Sequence, residues 1–380
     1  IGDGCCAFVR ISLGKEQRES AKRSVGNSVV MTVIASLVLT AIYLLFQPQI
    51  IAMFGGTVNE ETFHYSKEYF FYISLGIPFY MFGQALNPVI RADGNPKFAM
   101  ASTLAGAAAN VILDPIFIFL FKWGMMGAAV ATAIGQAMTF LVCLVFFVLK
   151  KHAPLFQFDG DGRYLASRIL SVGLSPFGLT YSPNITLILL NKSAVIFGGN
   201  IAVTCYAPIS YISAVVMLLM QGVSDGSQPL ISLAYGEGKH DTTKAVRNLA
   251  YRFAFGVAVV CSVVLFLLRG SAAHLFGASE QVTVLVAQIL PIFIIGFVFV
   301  SVSRVTTAYF YATGKNLWAS ILIYGEPLTL CALLLILPNA MGSVNGTWVS
   351  VPWSQCIAML LSLLLIHKNR ILEHQLPSHE

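Results

Sequence analysis

The chain has 380 residues, of which 57% are hydrophobic and 11% are Asp, Glu, Lys or Arg, and its mean hydropathy is +0.76. Because soluble domains carry roughly 25% charged residues, this composition excludes an ordinary soluble globule. The Gly and Pro contents are near average, which excludes collagen and disordered chains. The class that remains is an all-α polytopic membrane protein.

Ten apolar runs are long enough to cross a bilayer, since a spanning helix needs about 17–25 apolar residues. The connections between these runs are too short for a soluble domain, and the longest lie near 151–166 and 223–248. In chain order the runs cover 29–53, 69–90, 98–121, 127–149, 167–190, 201–221, 249–268, 283–303, 317–337 and 347–366.

Apart from Arg304, the basic residues are distributed unequally over the two sides of the predicted bilayer. Eighteen Lys and Arg residues fall in one set of alternate connections and the tails, and four fall in the other set. The positive-inside rule therefore predicts that the side with eighteen, and with it the C-terminus, is cytoplasmic. The net charge of +6 then reflects topology in a cell membrane rather than a surface for nucleic acid.

The second half of the sequence resembles the first half at a nearly constant offset in the numbering. Two homologous bundles in the same orientation are typical of secondary transporters. The matched landmarks are Asp3 with Asp225, Phe54 with Phe276, Gly94 with Gly314 and Gly124 with Gly342.

The repeat also predicts what precedes the first residue. The second copy begins near Arg163, so at the offset that relates Asp3 to Asp225 the first copy lacks its beginning, which amounts to about two spans. We therefore expect six plus six spans in a full-length form, with about ten and a partial one here. The predicted regions are a truncated N-lobe at 1–150, a cytoplasmic linker at 151–166, a C-lobe at 167–367 and a cytoplasmic tail at 368–380.

Five motif-like stretches occur in order along the chain: Ile1–Gly4 leading into Ser12–Gly14, Arg91–Pro96, Asn110–Phe117, Gly127–Thr132 and Gln228–Gly236. Together they resemble the multidrug and toxic compound extrusion (MATE) family over essentially the whole chain, in its bacterial form. The resemblance implies a monomeric antiporter that exports drugs or small, often cationic, organic compounds. It implies exchange for H⁺ or Na⁺ by alternating access of the two lobes.

Asp114 lies in the middle of a predicted span, where a carboxylate costs about 2.5–3.5 kcal/mol on insertion scales. Asn110 lies one helical turn earlier on the same face, and Pro115 frees a backbone carbonyl. This group could bind a proton or Na⁺, or it could stabilise a kink by bonding to its neighbours. By the resemblance, Asn110, Asp114 and Thr132 match the N-lobe ion site, whose further acid in the first span is absent from this sequence.

Three polar residues suggest a possible cavity in the C-lobe. Glu326 precedes a proline and could bind a cation. The competing interpretation is a structural pair with Arg304, because both lie about 15–18 Å from the shared turn at Gly314 on consecutive helices. Asn191, at a span end, could line the cleft or hydrogen-bond between helices.

Several functions and ligands are disfavoured by missing patterns. Without a Walker A motif, ATP would not drive transport, and without HExxH or CxxC spacing we expect no metal centre, no cofactor and no enzyme. A lipid-linked precursor flippase would favour several basic residues in the cleft, and a membrane-embedded enzyme would need a cluster of His or acids at one level. The expected partners are a small-molecule substrate and the lipid bilayer, without nucleic acid.

Overall fold

The computed structural model describes residues 1–53, 60–149 and 161–375. Within these ranges the chain forms α-helices joined by short turns, and no β-strand is present. The chain folds as two compact units, Ile1–Gly173 and Leu174–Glu380. The prediction of an all-helical, polytopic membrane protein is confirmed.

The first unit is built around α6, against which both α4 and α5 pack. The turn between α4 and α5 needs a glycine, because Gly94 has a φ of +84°. Pro96 follows at the first turn of α5, where its missing N–H is tolerated. The helices are α1 (Gly2–Gly14), α2 (Arg18–Leu45), α3 (Gln47–Met53), α4 (Glu60–Ala92), α5 (Pro96–Pro115), α6 (Gly124–Leu149) and the beginning of α7 (Asp161–Gly236).

The second unit packs α11 along α9 and α10. Helix α7 is broken at Gly199, whose φ of 65° and ψ of −162° are not helical. The apolar core includes Tyr206, Phe293 and Trp348, whose rings contact one another and are almost fully buried. The helices that follow α7 are α8 (His240–Leu268), α9 (Glu280–Ala312), α10 (Asn316–Met341) and α11 (Asn345–Gln375).

The helices agree with the predicted spans. Within the described ranges, eight helical segments are long and apolar enough to cross a membrane. They overlap nine of the ten predicted spans, because the segment Gly162–Gly236 holds two of them on either side of Gly199. The remaining span, 69–90, lies within the 33-residue helix α4.

Two predicted regions fall partly outside the described residues. The linker at 151–166 includes 151–160, which lie outside them, and its last residues belong to α7. The tail at 368–380 begins within α11, and its residues 376–380 lie outside them.

The outward surfaces of these helices suit a hydrocarbon solvent. In the most apolar window of the segment Pro96–Leu120, only 11% of the residues are buried inside the protein. Large apolar side chains are exposed there and on other spans, including Leu37 at 61% and Leu267 at 74%. A surface of this kind is stable where lipid tails cover it, since the helices satisfy their own backbone polar groups.

The internal repeat recurs in the helix boundaries. Helix α2 begins at Arg18 and α8 at His240, so their starts keep the spacing of Asp3 and Asp225. The starts of α5 and α10 likewise keep the spacing of the turn glycines that precede them, Gly94 and Gly314. Both glycines have positive φ angles, of 84° and 73°. The same turn geometry at equivalent places shows that the repeat is present in the structure as well as in the sequence.

Candidate functional site

Two of the predicted ion-site residues are in direct contact across α5 and α6. The amide Nδ2 of Asn110 donates a hydrogen bond to Thr132 Oγ1 at 3.3 Å. The Thr132 hydroxyl in turn donates to the backbone oxygen of Ala128 at 2.9 Å. Both side chains are half-buried. Because the nitrogen of the Asn110 amide donates this hydrogen bond, its oxygen is the atom that can contact a bound ion.

Asp114 lies one helical turn beyond Asn110 on α5, which brings the third predicted residue to the same helix face. Its Oδ1 atom is buried and has no hydrogen-bond partner in the described part of the chain. Leaving a buried polar atom without a partner costs about 1–3 kcal/mol, and more for a charged group. A proton or a cation would compensate this carboxylate directly.

The backbone changes its helical form immediately after Asp114. Residues Ile116–Leu120 form a π-helical turn, in which the Phe121 N–H donates to Ile116 O at 2.9 Å. Pro115, which has no N–H to donate, stands at the junction between the α-helix and this π turn. Such π turns are frequent at functional sites.

A close approach of two glycines sets the distance between α5 and α6. A Cβ atom added to Gly106 would lie 1.9 Å from Thr139 Oγ1 and 2.5 Å from the backbone oxygen of Gly135. One added to Gly135 would lie 3.0 Å from Asn110 Cβ. The helices therefore meet backbone to backbone, one turn from the Asn110–Thr132 contact. Sequence reasoning missed this pair, for which small residues at helical spacing were the available signal.

A second polar site lies in the second unit, where Arg304 of α9 and Glu326 of α10 line one partly enclosed pocket. The space within it is small, about 10 Å³, which is room for about one water molecule. Arg304 is only 7% exposed, and its Nε atom has no hydrogen-bond partner among the described residues. The other lining residues are Leu179, Ser182, Ser303, Thr307, Leu322 and Ile323.

The two predicted C-lobe charges thus share a pocket without forming an ion pair in the described structure. No nitrogen of Arg304 lies within 4.0 Å of a Glu326 carboxylate oxygen. Asn191, the third predicted residue, is half-buried on α7 and does not line this pocket. The hydroxyls of Ser182, Ser303 and Thr307, which sequence reasoning did not single out, do line it.

Comparison with known proteins gives matches over most of the chain. The family model described as MatE matches residues 7–116 and 187–325. The multidrug export protein MepA of Staphylococcus haemolyticus is 25% identical over 349 residues, covering 90% of this chain and 75% of that protein. MepA of Staphylococcus aureus MRSA252 is 24% identical over 370 residues, covering 97% and 81%.

Solved structures show the same fold. A MOP superfamily transporter from Pyrococcus furiosus superposes with a TM-score of 0.89 at 22% sequence identity. An outward-facing multidrug resistance MATE family transporter superposes with a TM-score of 0.90 at 21% identity. Both alignments cover 97% of this chain and 83% of the other chain.

Proposed function

Because the chain belongs to the MATE family of multidrug efflux transporters, whose members are transporters rather than enzymes, we propose that it is a secondary antiporter of the cell membrane. It exports small organic compounds, often cationic, in exchange for H⁺ or Na⁺. The relatives named multidrug export proteins support the substrate class. Two homologous bundles support alternating access as the mechanism.

The observation that carries the exchange proposal is the Asp114 carboxylate. Its buried Oδ1 atom has no partner in the described part of the chain, and the Asn110–Thr132 contact lies one turn away. Carboxylate, amide and hydroxyl oxygens are the ligand types that hard cations prefer. The Asp114 carboxylate could equally accept a proton, so one group serves either coupling ion.

Binding of the coupling ion would change the charge of the first unit inside the membrane. An ionised carboxylate at the centre of a span costs about 2.5–3.5 kcal/mol on insertion scales. A bound proton or Na⁺ cancels that charge, and its release restores it. The two states of Asp114 would therefore differ in the packing they favour, which is how an ion gradient can bias an alternating-access equilibrium.

The test is Asp114→Asn in an efflux assay that follows a fluorescent cationic dye in proteoliposomes. The amide keeps the shape but cannot take up a proton or neutralise Na⁺, so we expect pH-driven and Na⁺-driven efflux to fall to background. Imposing the two gradients separately on the unmodified protein identifies the coupling ion.

Glu280→Gln is the matched control, since it makes the same chemical change at an exposed position in the first turn of α9. This variant is expected to transport at the unmodified rate. Efflux that is unchanged in Asp114→Asn would overturn the proposed role.

A further inference from the structure

Arg304 and Glu326 are opposite charges that lie within membrane-spanning helices and have no direct side-chain partner among the described residues. Arg304 of α9 is 7% exposed, and its Nε atom makes no hydrogen bond in that part of the chain. No nitrogen of Arg304 lies within 4.0 Å of a carboxylate oxygen of Glu326 on α10. Because a charge within a span is costly unless a second charge or a polar group compensates it, the space between these two side chains decides how both are stabilised.

The space that both charged side chains line is the size of one water molecule. Its volume is about 10 Å³, which is close to the least that a buried water needs. Such a water also needs two to four polar partners, and besides the two charges the walls carry the hydroxyls of Ser182, Ser303 and Thr307. The Ser303 hydroxyl donates to the backbone oxygen of Val300 at 3.2 Å and can still accept a hydrogen bond. The site therefore offers both donors and acceptors to a water.

The signs of the two charges decide what occupies this space. A metal cation would be repelled by Arg304 and an anion by Glu326, whereas a water molecule accepts a hydrogen bond from a guanidinium and donates one to a carboxylate. We propose that one ordered water molecule bridges Arg304 and Glu326 and completes a water-mediated ion pair that joins α9 to α10. The role of this pair is structural, because each charge is the permanent counter-charge of the other.

The surroundings make the pair depend on both of its members. The rest of the wall is apolar and consists of Leu179, Leu322 and Ile323. Such a wall strengthens the attraction between opposite charges and raises the cost of a charge that is left alone. Removing one partner of a buried pair is therefore strongly destabilising, whereas replacing both partners by neutral side chains of similar volume is often harmless.

The pair also gives the two intramembrane acids different roles. The negative charge of Glu326 is committed to Arg304, because its loss would leave a buried guanidinium alone. Asp114 has no basic side chain within 4.0 Å in the described part of the chain, so its charge is not committed in this way. Asp114 thus remains the acid that can exchange a proton or Na⁺, and Glu326 holds the second unit together.

The experiment is a double-mutant cycle on the apparent melting temperature of the purified chain in detergent. Arg304→Gln and Glu326→Gln should each lower this temperature by about 5–10 °C, because each leaves one buried charge alone. The double variant contains neither charge and should melt within about 2 °C of the unmodified protein. A double variant that loses the sum of the two single effects would overturn the pair. An unchanged melting temperature in Glu326→Gln would also overturn it, because the amide imitates a neutral carboxylic acid.

Two controls and a transport measurement separate the pair from general effects of substitution. Arg252→Gln and Glu280→Gln make the same chemical changes at exposed positions and should shift the melting temperature by no more than about 2 °C. The double variant should keep the dye efflux of the unmodified protein. A double variant that is stable but has lost efflux would overturn the structural role.

If the single variants do not fold, the unmodified chain in lipid nanodiscs still decides the matter. A structure that shows ordered waters should contain one water within hydrogen-bonding distance, about 2.7–3.2 Å, of both Arg304 and Glu326. Direct contact between the two charges, or a bound ion in place of the water, would overturn the bridge. Neither the melting temperatures nor this structure involves an ion gradient, so both results are independent of whether Asp114 couples transport.

Discussion

At the scale of single residues, the two copies of the repeat differ in the strain of the backbone turn that follows their first helix. Glu16, between α1 and α2, has a φ of 60°, and its counterpart in the second copy, Gly238, has a φ of 73°. A residue with a Cβ atom in this left-handed region loses about 1–2 kcal/mol, which glycine avoids. The first copy therefore carries backbone strain that the second copy lacks.

We expect Glu16→Gly to stabilise the protein by about 1 kcal/mol, since the relief of strain exceeds the added freedom of the unfolded chain. An increase of a few degrees in the apparent melting temperature in detergent would show this.

Gly238→Ala is the mirror experiment, because it introduces the same strain in the second copy, and it should lower the melting temperature. No other heavy atom lies within 4 Å of a Cβ placed at Gly238, so strain alone is tested there. A melting temperature that falls in Glu16→Gly would contradict the strain argument.

The ionisable residues do not follow the repeat as the turns do. At the offset used for the sequence comparison, Glu326 corresponds to position 107, two turns before Asp114. Asp114 adjoins an amide–hydroxyl contact, whereas Glu326 shares its pocket with an arginine. The two units thus have the same scaffold but different chemistry, since a few side chains can be exchanged without disturbing helix packing.

At the scale of helices, the candidate ion site depends on how α5 is held between its neighbours. On one side, Asn87 of α4 donates its Nδ2 to the backbone oxygen of Ala99 at 2.7 Å. On the other, Gly106 meets Gly135 of α6 with no room for a methyl group. These contacts fix the position of α5, and thereby bring Asn110 within hydrogen-bonding distance of Thr132.

Gly106→Ala should therefore damage both stability and transport. The added methyl group would have to push α5 away from α6, and overpacking of this kind costs about 1–3 kcal/mol. We expect a lower melting temperature, together with slower efflux because Asn110 and Thr132 are separated.

Gly256→Ala on α8 is the control for the same chemical change, since a Cβ there meets nothing within 4 Å. It should be neutral or stabilising by up to about 1 kcal/mol, because alanine is the better helix former. A tolerated Gly106→Ala with full efflux would show that the close glycine contact is not needed for the site.

At the scale of the whole molecule, the charge asymmetry of the sequence predicts the orientation in the membrane. Eighteen basic residues lie on one predicted side and four on the other. Helix α11 carries Lys368 and Arg370 near its end, so the C-terminus belongs to the basic side. Because positively charged segments are retained in the cytoplasm, this end should face inward.

A fusion experiment checks the orientation. A green fluorescent protein placed after Glu380 should fluoresce, and alkaline phosphatase at the same place should be inactive. The reverse pattern is expected for reporters inserted after Gly270, in the connection that follows α8. Active phosphatase after Glu380 would contradict the predicted topology.

The sequence by itself determined the class of protein, the spans, the repeat and the family resemblance. These features can be recognised from the order and spacing of residues along the chain, since bilayer thickness sets the length of a span and the repeat is preserved as a spacing. It also identified Asn110, Asp114, Thr132, Glu326 and Arg304 as residues of interest. Their roles depend on which of these side chains contact one another, and spacing along the chain does not determine those contacts.

Only the tertiary structure decided which of these side chains contact one another. Asn110 contacts Thr132, while Arg304 and Glu326 line one pocket without pairing, and Asn191 does not line that pocket. The rotation of each helix about its axis and the depth of each crossing determine these distances. Both depend on side-chain packing, such as the contact of Gly106 with Gly135, which spacing along one chain does not encode.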